Sequence, residues 1–99
     1  MQPKSILITG ASSGIGAALA LEYAAPGAIL HLGGRRTDRL ETVAAQARAA
    51  GAEVRVRRID VTDAEAVREW VLEADDASPL DLVVANAGIS AGTSGKAGG

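Results

Sequence analysis

The residues with the clearest chemical potential are Thr9-Gly10-Ala11-Ser12-Ser13-Gly14-Ile15-Gly16. Three glycines and two serine hydroxyls stand between an apolar run and a helical pattern. That arrangement suits a phosphate group. The first turn of a helix carries N–H groups with no intrahelical partner and the positive end of the helix dipole. A pyrophosphate satisfies both. Glycine lets the backbone turn tightly and approach the phosphate with no Cβ in the way, and Ser12 and Ser13 can add donors. The spacing is G-x-x-x-G-x-G. It is not the G-x-G-x-x-G of the better-known dinucleotide loop, nor a P-loop, which needs Gly-Lys-Ser/Thr. The bland alternative is an ordinary glycine-rich turn. Placement directly after a buried strand and before a helix favours the dinucleotide site.

A second stretch, Leu32-Gly33-Gly34-Arg35-Arg36, bears on which dinucleotide. A site that reads NAD places an acid roughly 20 residues past the glycine loop, on the ribose hydroxyls. Here no acid stands between Glu22 and Asp38. Gly34 leaves room for a 2′-phosphate, and Arg35 and Arg36 offer planar forks that match its oxygens. NADP is therefore expected over NAD. The competing expectation is a solvated turn whose arginines pair with Asp38 or Glu41. Residues 35–58 carry seven Arg and residues 60–81 carry eight acids, so the basic block falls at the adenine-phosphate end of the expected sheet.

The elements that must position these residues follow from periodicity. Residues 5–9 read as a buried strand, and residues 15–25 as a helix ended by Pro26-Gly27. Residues 28–32 are a second strand, stopped by Gly33-Gly34. Thr37 or Asp38 caps a helix whose apolar stripe is Leu40, Val43, Ala44 and Ala47, with Gly51 as its stop. Residues 53–59 alternate polar and apolar, which predicts a strand at the sheet edge. Thr62 and Glu65 have capping-box spacing, ahead of a helix with Ala64, Val67, Val71 and Ala74 on one face. Residues 80–85 are the fourth strand. The order βαβαβαβ with short connections implies an α/β fold of Rossmann type: a doubly wound parallel sheet in the order 3-2-1-4. Residues 1–87 are expected to form the dinucleotide-binding domain, and residues 88–99 a Gly-rich loop or disordered tail.

Composition removes other classes. The chain has 99 residues, no Cys and one His, which excludes disulfides, thiolate zinc, iron–sulfur clusters and multi-histidine metal sites. A net charge of −2 and 2% aromatics argue against nucleic acid as a partner. No apolar run approaches the roughly 20 residues of a membrane span, and the N-terminus does not read as a signal peptide. The cytoplasm is the expected compartment.

Thr9-Gly10-Ala11-Ser12-Ser13-Gly14-Ile15-Gly16, Asp60-Val61 and Asn86-Ala87-Gly88 together resemble the short-chain dehydrogenase/reductase family, over essentially residues 4–90. The resemblance implies that Gly10, Gly14, Ile15 and Gly16 hold the pyrophosphate and nicotinamide side of the cofactor. It implies that Asp60 and Val61 contact the adenine, with the Asp60 carboxylate accepting from the exocyclic amine. Asn86, Ala87 and Gly88 would close over the cofactor ribose. Many relatives carry two Asn before the Ala-Gly; here Ala85 takes the first of those places. In the family an Arg directly after the acid position marks NADP preference, as Arg35 does here. The implied reaction moves a hydride between the nicotinamide and a carbonyl or secondary alcohol, in a protein expected to be a homo-oligomer. The family's catalytic Ser and Tyr-x-x-x-Lys do not occur in these 99 residues, so no catalytic residue is assigned, and the family's later strands are missing from the stretch.

Other residues invite a role less well. His31 lies within an apolar strand and reads as core. Tyr23 reads as packing on its helix, and Trp70 as covering the sheet or half exposed. Glu73, Asp75 and Asp76 read as a solvated helix end. Ser90, Ser94 and Lys96 fall outside the family's catalytic spacing. A function from a different class is a nucleotide-sensing or interaction module on the same fold, since fold does not fix function.

Overall fold

The computed structural model describes residues 4–12 and 14–85. The elements are β1 (Ser5–Thr9), α1 (Gly14–Tyr23), β2 (Ile29–Gly34), α2 (Thr37–Ala49), β3 (Glu53–Arg58), α3 (Ala64–Ala77) and β4 (Leu82–Ala85). The sheet is parallel in the order β3-β2-β1-β4. This is the expected Rossmann-type order. β1 is buried along its whole length because helices cover both of its faces.

Alternation along the strands divides the core in two. Ile6 and Ile8 of β1, Leu30 and Leu32 of β2 and Val54 of β3 face α1 and α2, meeting Leu40, Val43, Ala44 and Ala47. Leu7 faces the other way and packs with Ile59, Trp70 and Ala74 on the α3 side. At the opposite end from the glycine loop, the Asp81 carboxylate accepts from the backbone N–H of Lys4 at 2.8 Å and of Ser5 at 3.0 Å. Asp81 N–H in turn donates to the Ser5 carbonyl at 2.8 Å, which fixes the start of β4 against β1.

Four local expectations need correction. Gly33 and Gly34 do not stop β2; they are its last two residues, paired with Arg57 and Arg58. Neither Thr37 nor Asp38 caps α2. Arg36 holds the cap position with no side-chain cap bond, and Thr37 already lies in the first turn. The capping box at Thr62 and Glu65 does not form. Asp63 is the cap and accepts from Ala66 N–H, while the Thr62 hydroxyl is engaged by Asp60. α1 ends at Tyr23, two residues before the expected stop. No helix among the described residues is long and apolar enough to cross a membrane.

Candidate cofactor site

In a parallel sheet all strands end on one side. β1 leads through α1 to β2 and on to β3 in one direction; the chain then crosses to β4 on the far side of β1. The carboxyl ends of β1 and β4 therefore flank a topological switch point, where open α/β sheets bind ligands. The glycine loop leaves β1 at that point. Gly10 has φ +66°, a left-handed turn that favours glycine. Ala11 N–H then donates to the Gly33 carbonyl at 3.0 Å, extending the tie between β1 and β2 past the last ladder pair. Ala11 is fully buried, so the loop has a fixed base.

The rim of the loop is open. A Cβ on Gly14 would meet nothing within 4 Å, and Ile15 is 71% exposed at the first turn of α1. This is an exposed helix N-terminus beside a glycine turn, a fit for a pyrophosphate. Gly16 is buried on the inner side of α1. Ser12 is half-buried and turns toward the end of β2: its Oγ lies 3.1 Å from where a Gly34 Cβ would stand. Ser13 lies outside the described residues.

At the end of β2, Arg35 and Arg36 are both exposed. Arg36 reaches Asp38 at 3.6 Å, so the pairing considered for this turn exists for one of the two arginines. Exposed pairs of this kind contribute little to stability. Glu41 pairs instead with Arg48. Asp60 follows β3 in a tight turn. Its Oδ1 accepts from the Thr62 hydroxyl at 2.6 Å and from Thr62 N–H at 2.9 Å. These two bonds, helped by the charge of Arg35, hold its carboxyl below the usual carboxylate range. Asp60 is thus a fixed, ionised acceptor, with Val61 half-buried beside it. Asn86, Ala87 and Gly88 lie outside the described residues, as does the expected tail at 88–99. Ala85 pairs with Thr9, so the chain leaves β4 next to the glycine turn.

The structure therefore brings Gly10, Ser12, Gly14, Ile15, Gly16, Arg35, Arg36, Asp60 and Val61 to the carboxyl edge of the sheet. His31, Trp70, Glu73 and Asp75 do not join them. His31 is buried on the α3 side, its pKa lowered by burial and by the charge of Arg55, and its Nε2 has no partner among the described residues. Trp70 covers the sheet and is 3% exposed. Glu73 pairs with Arg57, and Asp75 accepts from Leu80 N–H. No group of acids and histidine among the described residues could hold a metal ion. Arg58 escaped notice in the sequence. Its signal was its phase in β3: it shares the face of Val54 and Val56, where an apolar residue is the pattern.

Comparison with known proteins agrees with this fold. A family model for short chain dehydrogenases matches residues 4–97. An uncharacterized oxidoreductase of Myxococcus xanthus is 43% identical over 97 residues, which is 97% of this chain and 38% of that protein. A metagenomic short-chain oxidoreductase solved in complex with NADP superposes with a TM-score of 0.73 at 30% identity, over 81% of this chain and 37% of the other. An NADH-dependent reductase complexed with NAD gives a TM-score of 0.72 at 29% identity, over 86% of this chain and 36% of the other. The chain spans little more than a third of the length of each of these proteins.

Proposed function

The chain belongs to the short-chain dehydrogenase family, and from that premise we propose that residues 1–87 form the NADP(H)-binding domain of a cytoplasmic oxidoreductase. The parent reaction is hydride transfer between the nicotinamide and a carbonyl or secondary alcohol. When bound, the nicotinamide supplies the hydride chemistry. This chain's own residues bind and orient. The open N-terminus of α1 and the Gly10 turn receive the pyrophosphate. Asp60, kept ionised by Thr62, accepts a hydrogen bond from the adenine amine. Ser13, Asn86, Ala87 and Gly88 complete the cradle in this reading.

The choice of NADP(H) over NAD(H) is carried by the end of β2. Gly34 stands where an NAD site needs an acid, and no acidic side chain follows it before Asp38. Arg35 is exposed and, although its charge acts on Asp60, it is in no ion pair among the described residues that would keep its guanidinium from a 2′-phosphate. The related structures hold NADP in one case and NAD in another, so the residues of this chain have to decide. The test is a titration of both cofactors against the unmutated chain and Arg35→Ala. Tighter NADP(H) binding is expected, weakened about ten- to a hundredfold by the substitution, the scale of one lost charge-assisted hydrogen bond. NAD(H) affinity should stay nearly unchanged. Equal weakening of both, or tighter NAD(H) binding by the unmutated chain, overturns the assignment.

A further inference from the structure

Arg58 is the last residue of β3 and the Cα partner of Gly34 in the parallel ladder. Neighbouring strands lie about 4.8 Å apart, so the two residues sit side by side at the carboxyl edge of the sheet. Side chains alternate along β3. Val54 and Val56 pack into the core under α1 and α2, while Arg57 crosses to Glu73 on α3. Arg58 therefore leaves the sheet on the α1–α2 face. Gly34 would direct a Cβ to that same face, toward Ser12 of the glycine loop.

Charge separates Arg58 from its neighbours. Arg36, Arg48, Arg55 and Arg57 each have a carboxylate partner. Among the described residues Arg35, Arg39, Arg58 and Arg68 are exposed and in no ion pair, and of these Arg35 and Arg58 are the two that adjoin Gly34. Arg35 follows Gly34 in the chain, and Arg58 flanks Gly34 across the ladder. Two guanidiniums with no ion-pair partner among the described residues thus border Gly34, where the α1–α2 face of β2 has no side chain. Two like charges there repel each other, and an anion between them reverses the sign of that interaction.

We infer that Arg58 is a second specificity-determining residue, which with Arg35 holds the phosphate monoester on the adenosine ribose of the cofactor. The inference rests on the NADP(H) reading above. A phosphate monoester carries close to two negative charges at neutral pH, which two guanidiniums match. NAD(H) has a neutral hydroxyl at that place and gives Arg58 nothing to hold.

The experiment uses two fragments of the cofactor, adenosine 2′,5′-bisphosphate and adenosine 5′-monophosphate, titrated calorimetrically into the full chain. Arg58→Ala should weaken the bisphosphate about five- to tenfold, as loss of one exposed charge contact does, and leave the monophosphate within about twofold. Arg58→Lys, which keeps the charge and loses the fork, should fall between Arg58→Ala and the unmutated chain. Unchanged thermal melting checks the fold; should Arg58→Ala not fold, Arg58→Gln takes its place. If Arg58→Ala binds the bisphosphate as tightly as the unmutated chain while Arg35→Ala does not, the role of Arg58 falls and the NADP(H) reading stands. Equal weakening of both ligands by Arg58→Ala also overturns that role. If the unmutated chain binds the two ligands alike, the NADP(H) reading itself falls.

Discussion

The indole of Trp70 occupies the space where a side chain on Gly33 would begin: a Cβ built there would lie 2.6 Å from ring atom Cζ3. Gly33 is one residue from Gly34, and its carbonyl accepts from Ala11 N–H of the glycine loop. α3 therefore rests on the strand that ends at the cofactor edge. Gly33→Ala forces the ring to move, and overpacking of this kind costs about 1–3 kcal/mol. For a domain of this size that corresponds to a fall in Tm of roughly 4–8 °C per kcal/mol. Trp70 is the only Trp in the chain, so its emission should also shift to the red as the ring is displaced into water. Unchanged melting and unchanged emission would show that the contact does not constrain the fold.

Acid should unfold this chain in two stages. The Asp81 carboxyl is held below the usual carboxylate range by the N–H groups of Lys4 and Ser5, and by the charge of Lys4. Its folded pKa is lower than its unfolded one, so its stabilisation is present above the unfolded value and is lost as pH falls through the folded value. His31 is also lowered, by burial first and then by Arg55. The unfolded chain thus takes up the His31 proton before the folded one does, and stability begins to fall as pH drops below about 6.5. Urea midpoints measured from pH 8 to pH 3 test both stages. His31→Gln should flatten the upper part of the decline, and Asp81→Asn the lower part. Parallel curves for all three proteins would refute the assignment.

Much of this arrangement was readable in the chain, and its failures share a cause. The 3-2-1-4 order followed from β1, apolar throughout, and β3, with its alternating arginines; each pattern is local and reports how many faces a strand buries. The glycine loop was legible for the same reason, since strand, loop and helix are adjacent in sequence. The errors came where a distant contact decides. Gly33 and Gly34 look like a strand terminator until Trp70 and Ser12 are seen in the space beside them. Thr62 has the spacing of a helix cap, but Asp60 takes its hydroxyl and leaves the cap to Asp63. The clamp of Asp81 on Lys4 and Ser5 joins positions 77 and 76 residues apart, which no window of sequence displays.

The 99-residue chain on its own should associate with itself. Among the described residues β4 pairs only with β1, so its outer edge presents unpaired N–H and C=O groups. Val83 at the middle of β4 is 45% exposed on the α3 side, and Leu72 of α3 is 57% exposed. An apolar open edge of this kind is a template for another strand. Sedimentation equilibrium over a range of concentrations is expected to show species heavier than the 10.0 kDa monomer. Val83→Lys, which places a charge on that edge, should shift the distribution toward monomer. A stable monomer at all concentrations would refute the exposed-edge argument.

Cofactor binding without turnover is the expected behaviour of these 99 residues alone. Carbonyl reduction needs a group within hydrogen-bond distance of the reacting oxygen to give it a proton. The only Tyr is Tyr23, the last residue of α1. It lies nine residue steps along the helix from Gly14 at the glycine loop, roughly 13 Å at 1.5 Å per residue. It is half-buried against the core, beside a hollow lined by Lys4, Pro26, Gly27 and Ala28, where β1 and β2 begin rather than where they end. A tyrosine there is at the wrong end of the sheet. Position 27, where a Tyr-x-x-x-Lys pair would put its Lys, is Gly27. His31 is buried on the α3 side two residues short of Gly33, with its Nε2 sealed from solvent and without a partner among the described residues. Neither group can reach a substrate at the nicotinamide. NADPH consumption measured with a panel of ketones and aldehydes should therefore stay at the uncatalysed rate, while calorimetry on the same sample shows the cofactor bound. Turnover that survives both Tyr23→Phe and His31→Gln would mean that a proton donor outside the described residues acts in this chain. Turnover abolished by Tyr23→Phe would mean that α1 presents its far end to the substrate, against the packing of Tyr23 on the core.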